Sequence, residues 1–283
     1  MNIAVKVINS FSIDGAGGNP AGVVLNAGAL TAQQKQRVAY EAQLSEVAFL
    51  SPSQVADYKV DFFTPTKQIP HCGHATIAAF SYLKSLRMIS GDVSSKETID
   101  GTRQILFEGD AAYMQQSPAK FSHVNTEAEI LASLGIGAGI LDQSVPTVIG
   151  NTGNPFLLVP VRNELDLKVL KPDFDRIREI SEALNCTGYY VFSRTAGAFD
   201  AQARMFAPAY GINEESATGM GAGPLAGYLY QYAPNKKQTY IIGQGFYMDP
   251  PSGSRIKVQI DAHNGSIVAG GNAYVVKTIQ VEI

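Results

Sequence analysis

The sequence predicts an α+β protein built twice: two pseudo-symmetric domains, each with mostly antiparallel strands wrapped around a central helix. Three observations predict it. Glycine and proline supply 27 and 14 of the 283 residues, which favours turns and short strands over a helical bundle. A series of landmarks recurs in the same order in the two halves of the chain. Each series ends in an apolar helix of small residues, and a helix without a polar face must be covered on every side.

The elements follow in order. MNIAVKVIN reads as a strand; it lacks the basic stretch and long apolar core of a signal peptide. Gly18-Asn19-Pro20 opens GNPAGVVL and Gly153-Asn154-Pro155 opens GNPFLLVPV, each a turn followed by a buried strand. A helix comes next, Thr31–Gln43 with a thin apolar face of Val38, Ala39 and Ala42, and Pro172–Leu184 with Phe174, Ile177, Ile180, Ala183 and Leu184 at helical spacing. Short apolar strands follow at Val47–Leu50 and Gly188–Phe192. Two further strands end in Phe63-Thr64-Pro65 and Phe206-Ala207-Pro208. The central helices are Gly73–Leu83 and Gly219–Leu229, with Gly73, Tyr82 and Leu83 falling on Gly219, Tyr228 and Leu229. Glu108–Met114 and Ile256–Ile260 read as strands, and Ser266–Val281 as two more. The linker is expected at Ser117–Thr126 or at the glycines of Gly135–Gly139, either side of a short helix at Glu127–Leu134.

Composition narrows the function. Apolar residues make up 45% and charged residues 17%, which is globular. With 22 basic and 25 acidic residues the net charge is −3, so no nucleic-acid partner and no anionic membrane surface is expected. The longest apolar runs, Ala21–Leu25 and Phe156–Val161, are too short to span a bilayer. Two cysteines without a C-x-x-C pair fit a cytoplasmic protein. Four His, two Cys and no Trp leave few candidates for chemistry.

The two central helices open on glycine, where free backbone N–H groups and the helix dipole favour an anion such as a substrate carboxylate; tight packing is the plainer reading of the same glycines. His71-Cys72-Gly73-His74 is the densest reactive cluster. No second ligand cluster accompanies it, so no metal is expected. Cys72 precedes a helix start, where a thiol pKa tends to fall, but Thr218 holds the matching place in the second half, which argues against a pair of opposed thiols. His74 at the helix start would titrate near neutrality. Glu46 lies where a helix gives way to a buried strand, where desolvation would raise its pKa into a range useful for proton transfer; a solvated turn glutamate is the plainer reading of the spacing alone. Glu214-Glu215 precedes the second helix and reads equally as a capping pair. The glycine runs at Gly219–Gly223 and Gly135–Gly139 do not complete G-x-G-x-x-G and lack the downstream acid, so no dinucleotide or other cofactor is expected.

Taken together, the motifs resemble the phenazine-biosynthesis PhzF-like family within the diaminopimelate epimerase-like superfamily. The resemblance runs nearly end to end. It is carried by Gly18–Leu25, by Leu44-Ser45-Glu46-Val47-Ala48-Phe49, by Phe63-Thr64-Pro65 with Cys72-Gly73-His74-Ala75-Thr76, by Arg204-Met205-Phe206-Ala207-Pro208 with Gly211-Ile212 and Ala217-Thr218-Gly219, and by Gln244-Gly245 and Gly270-Gly271. It implies a duplicated diaminopimelate epimerase-like fold with the active site between two domains. The first is expected at residues 1–117, completed by the C-terminal strand at about 272–283, and the second at 127–271. It further implies a cofactor-independent isomerase, commonly a homodimer, that moves a proton on a small amino or hydroxy carboxylate. In that likeness Glu46 is the general acid and base. Gly73, His74 and Glu215 line the pocket, Gly270-Gly271 lies near the substrate carboxylate, and Asn19, Thr218, Gly219 and Met220 contact substrate, with Cys72 as a further candidate.

Two departures matter. The family's acidic position is usually Asp followed by Pro; here it is Glu215-Ser216. After Thr218-Gly219 the family usually has Ser or Asn; here it is Met220, whose thioether is a poor acceptor and no donor. Both argue against the phenazine-pathway substrate itself. They leave open an alternative, a non-catalytic protein that binds a small carboxylate in the same cleft.

Overall fold

A computed structural model describes residues 1–283. The chain divides into two compact units, one of Met1–Gln115 with Gly270–Ile283 and one of Gln116–Ala269. No helix is long and apolar enough to cross a membrane.

The first unit opens with β1 (Asn2–Ser10), paired antiparallel to the chain's closing strand (Ala273–Glu282) on one side and to β2 (Asn19–Val24) on the other. The turn before β2 needs Gly18: its φ is +84°, and a Cβ there would stand 2.4 Å from the Ser10 carbonyl oxygen. Helix α1 (Ala32–Ala42) starts at a capping box in which Thr31 and Gln34 each bond the other's backbone N–H, and stops at Gln43, left-handed at φ 51°. β3 (Val47–Ser51) returns parallel to β2, β4 (Tyr58–Phe63) runs antiparallel to β3, and the short β5 (Gln68–Ile69) pairs with the end of β4. Every residue of β3 is buried, because α1 packs against it on one side and α2 (Gly73–Ser85) also contacts it. Beyond α2, β6 (Val93–Thr98) lies parallel to β4, and β7 (Gly101–Glu108) and β8 (Ala111–Gln116) extend the sheet antiparallel. Ala75, Ile77, Ala78, Ala79, Phe80 and Leu83 of α2 are all buried, as an apolar helix requires.

The second unit repeats the plan. β9 (Lys120–His123) pairs with β10 (Val148–Asn151), and β10 with β11 (Pro155–Val161), all antiparallel. A short helix α3 (Glu127–Ser133) stands between β9 and β10. After β11 come α4 (Glu164–Lys168) and α5 (Phe174–Ala183), the latter capped by the Asp173 carboxylate on the Arg176 N–H. β12 (Gly188–Arg194) is parallel to β11, and β13 (Ala201–Ala207) antiparallel to β12. β14 (Ile212–Glu215) leads into α6 (Gly219–Tyr232), whose first eleven residues are all buried. β15 (Thr239–Gln244) is then parallel to β13, and β16 (Ser254–Ile260) antiparallel to β15. β17 (Ile267–Gly271) leads on towards the closing strand. Strand, helix, parallel strand, antiparallel strand, buried helix, parallel strand: both units follow this order. The fold is thus α+β, with parallel pairs at β2/β3, β4/β6, β11/β12 and β13/β15 among mostly antiparallel neighbours.

Two local expectations change. Glu108–Met114 is not one strand, since Gly109 at φ 61° turns the chain between β7 and β8. Ser117–Thr126 is not a free linker, because β9 lies within it and hydrogen-bonds to β10.

Candidate active site

In the first unit the reactive groups gather at the start of α2. Glu46 arrives there from the reversal at Gln43, and its carbonyl accepts the Gly22 N–H at 2.9 Å, which seats it beside the first rung of the β2–β3 pairing. Cys72 is the extended N-cap of α2 and His74 stands in its first turn. All three side chains are buried. His74 Nε2 is 3.2 Å from Glu46 Oε2, and His74 Nδ1 is 3.6 Å from Cys72 Sγ, so one imidazole is held between a carboxylate and a thiol.

The electrostatics of this line correct the expectation for Glu46. Burial is the largest single influence and would raise the Glu46 pKa, but the His74 charge and the hydrogen bonds of His74 and Ser45 together outweigh it, and the carboxyl is held below its ordinary value. Burial likewise opposes the charge on His74, yet Cys72 and Glu46 around it hold the imidazole well above its usual value rather than near neutrality. The Cys72 thiol does not fall with the helix start: burial pushes it up, and His74 offsets only part of this. At neutral pH these directions favour a carboxylate at Glu46 and a thiol at Cys72, and with the thiol protonated it is the Glu46 carboxylate that sustains the charge on His74.

Glu46, Cys72 and His74 offer ligand atoms that all lie within 4.8 Å of one another, a third group that the spacing of His71, Cys72 and His74 did not suggest. Their contacts, however, use opposite nitrogens of the ring. An ion bound at one nitrogen would have Glu46 or Cys72 on its side of the ring but not both, so the arrangement as it stands suits proton transfer better than coordination. His71 is not part of the line; its Nδ1 lies 2.9 Å from Nζ of Lys96. Lys96 is the reactive residue that sequence reasoning missed, since in Val93–Thr98 it sits in an alternation that reads as a solvated strand face.

In the second unit Glu215, Thr218 and Gly219 do come together. Thr218 Oγ1 donates to Glu215 Oε2 at 2.5 Å. The buried amide of Gln244 joins the parts: its oxygen accepts from the Thr218 N–H (3.0 Å) and the Tyr190 hydroxyl (2.8 Å), and its nitrogen donates to the Glu215 carbonyl (2.6 Å) and Thr218 Oγ1 (3.2 Å). Gln116 Nε2 bonds the Gly219 carbonyl at 2.9 Å. Met220 is buried one residue on. Glu214 stands apart from this network: Arg204 Nε and Nη2 each donate to one of its carboxylate oxygens at 2.8 Å.

The remaining candidates have local reasons for their places. Asn19 begins β2, buried, with its carbonyl accepting the Ser10 hydroxyl. Gly270 is required by packing, because a Cβ would meet the Ala112 carbonyl oxygen at 2.1 Å; Gly271 follows it, also buried.

The PhzC-PhzF family model, described as phenazine biosynthesis-like protein, matches residues 8–278. An uncharacterised isomerase of Clostridium acetobutylicum is 32% identical over 95% of this chain and 94% of its own length. The trans-2,3-dihydro-3-hydroxyanthranilate isomerase of Pseudomonas aeruginosa is 31% identical over 95% of this chain and 98% of its own. Among solved structures, a PhzF-family phenazine biosynthesis protein of Bacillus anthracis superposes with a TM-score of 0.91 at 27% identity, covering both chains fully. A hydroxyproline epimerase of Agrobacterium vitis shares the fold alone, with a TM-score of 0.59 at 14% identity over 99% of this chain and 91% of its own.

Proposed function

Because this chain belongs to the phenazine biosynthesis-like (PhzF) family, whose named relatives are isomerases, we propose that it is a cofactor-independent isomerase of a small amino or hydroxy carboxylate, with Glu46 as its acid and base. The observation that carries this reading is the buried Glu46–His74 pair at the start of α2.

Glu46 is held ionised, the form a base needs. It removes a proton from a carbon next to the substrate carboxylate or an imine-like carbon, and the C–H electron pair stays on the substrate as a delocalised anion. The proton then returns from the Glu46 carboxyl to another carbon or to the other face. Every atom and electron is conserved, so the reaction calls for no oxidant or reductant. The depressed pKa costs Glu46 some basicity, and the His74 imidazolium offsets this by stabilising the anion as it forms. Gly73 at the start of α2 offers backbone N–H groups to the substrate carboxylate. Thr218, Gly219, Met220 and the Glu215 carboxylate supply further substrate contacts. Met220 and the Glu215-Ser216 pair favour a substrate other than that of the Pseudomonas aeruginosa relative, since the polar contact and the shorter acid of the family pattern are both replaced.

The test is solvent deuterium exchange. A panel of amino and hydroxy carboxylates is incubated in heavy water with the protein and scored by mass spectrometry. We expect incorporation in at least one compound, and Glu46→Gln to reduce it by about a hundredfold or more. A variant that stays within about tenfold of wild type removes Glu46 from the role. The buried thioether at Met220 favours a second reading, carboxylate binding without chemistry; tight binding with no exchange in any compound would support it.

A further inference from the structure

A buried lysine lies against the start of α2, and the proton transfer described above makes no use of it. Lys96, on β6, is 0% exposed. Its Nζ donates to Thr76 Oγ1 at 2.7 Å, lies 2.9 Å from His71 Nδ1 and stands 5.0 Å from the centroid of the Phe62 ring. Thr76 Oγ1 in turn donates to the Cys72 carbonyl at 2.6 Å. His71 immediately precedes Cys72, and Thr76 closes the first turn of α2. The two bonds of Lys96 thus bracket the six residues that contain Cys72, Gly73 and His74.

A lysine is a costly way to fill this space. Burial disfavours its charge and brings its pKa down to about 7, with Cys72 and Asp100 acting to raise it and Arg103 to lower it. An unbranched apolar side chain would fill the same volume without that penalty. Nothing in forming β6 asks for an ammonium. What the ammonium supplies is two directed bonds from the sheet to the turn. His71 is a fit acceptor: burial and then the Lys96 charge hold its pKa down at about 3, so its ring is neutral and Nδ1 is available.

We propose that Lys96 is the positioning residue of this site: from β6 it grips the stretch from His71 to Thr76 at both ends, and so fixes Cys72 and His74 against Glu46. Its consequence for turnover rests on the assignment of Glu46 and His74 as the reacting pair. The grip itself is a statement about geometry and is tested without substrate, so the failure of one is separable from the failure of the other.

The test uses the full chain and two readings. The first is the rate at which iodoacetamide alkylates Cys72, followed at the peptide level so that Cys186 is scored separately. Lys96→Met and Thr76→Val should each raise this rate about tenfold as the turn loosens, and Thr76→Ser, which restores the hydroxyl, should return it to the wild-type value. Lys35→Met is the control: it removes another buried lysine of the same unit, paired with Asp61 at 2.6 Å, and should change thermal stability while leaving Cys72 unaltered. The second reading is the ring carbon signal of His71 by NMR. It should show a step near pH 7, where Lys96 titrates, far above the titration of His71 itself. The step should persist in Thr76→Val and vanish in Lys96→Met. Alkylation of Cys72 in Thr76→Val within about twofold of wild type overturns the proposal, as does a wild-type His71 signal without the step or one that keeps it in Lys96→Met. If Lys96→Met does not fold, the Thr76 pair and the wild-type signal decide the matter.

Discussion

Helices α2 and α6 hold the same place in two units of the same strand order, yet they are packed by opposite means. α2 fills its surroundings with side chains: Ile77, Ala78, Ala79 and Phe80 are buried in succession. α6 also buries Met220, Leu225, Tyr228 and Leu229, but at three of its glycines it is approached so closely that no side chain fits. A Cβ on Gly221 would stand 2.6 Å from the Tyr190 ring, on Gly223 2.0 Å from Gln116 Oε1, and on Gly227 2.5 Å from the Ala119 methyl. The helix starts differ as well. That of α2 faces an ion pair, Glu46 with His74, whereas that of α6 is tied by hydrogen bonds centred on the Gln244 amide. Duplication has kept the scaffold and divided the labour: one helix start carries charge that can move a proton, and the other carries a fixed frame.

That division can be broken in four ways. The largest effect should be on chemistry. Glu46→Gln should lower deuterium exchange by about a hundredfold or more, while Glu215→Gln, whose amide oxygen can still accept the Thr218 hydroxyl, should lower it by about tenfold or less; equal losses would refute the asymmetry.

Packing comes next. Gly223→Ala should cost about 3 kcal/mol, because the new methyl displaces Gln116 from its bonds to Gly219 and Thr152; Ala78→Gly, buried within α2, should cost only about 1 kcal/mol. Urea denaturation of the two variants checks the pair.

The third effect is on pH dependence. The Glu46 pKa is lowered on folding, so its stabilisation is present above the unfolded value of 4.5 and is lost as pH falls through the folded one. The His74 pKa is raised, so its stabilisation is complete below the unfolded value of 6.5 and is lost as pH rises through the folded one. The stability difference between wild type and the double variant Glu46→Gln/His74→Gln should therefore be greatest between pH 4.5 and 6.5 and shrink on both sides. A difference that stays constant from well below pH 4.5 to well above pH 6.5 would mean the pair is not ionic.

The smallest effects concern what the units share. Thr31→Ala at the start of α1 and Asp173→Ala at the start of α5 should each cost about 1 kcal/mol, read from thermal unfolding, since each removes one cap from equivalent helices.

Much of the fold was legible because its signals are local. The spacing of Phe174, Ile177 and Ile180 marks α5, and the paired Gly-Asn-Pro turns mark the entries to β2 and β11. The hairpin of β7 and β8 was missed although Gly109-Asp110 is an ordinary turn signal; the apolar residues on either side obscured it. The site was less legible, because charge depends on neighbours that spacing does not name. The spacing leaves Glu46 between a solvated turn residue and a desolvated one with a raised pKa, whereas His74, which does most to lower it, lies 28 positions along the chain and meets it only through the packing of α2 on the sheet. Lys96 was invisible for the same reason, since nothing in Ser94-Ser95-Lys96-Glu97 announces burial.

The pairing of β1 with the closing strand has a consequence for synthesis. Asn2 lies opposite Glu282, and the first unit includes Gly270–Ile283. The second unit, Gln116–Ala269, is contiguous, so all of it has been made while β1 still lacks its outer neighbour. On the ribosome the order of completion is thus the reverse of the order of translation. The unit that bears Glu46 and His74 is begun first and finished last, and until the final strand arrives β1 offers an open edge to any other strand in reach.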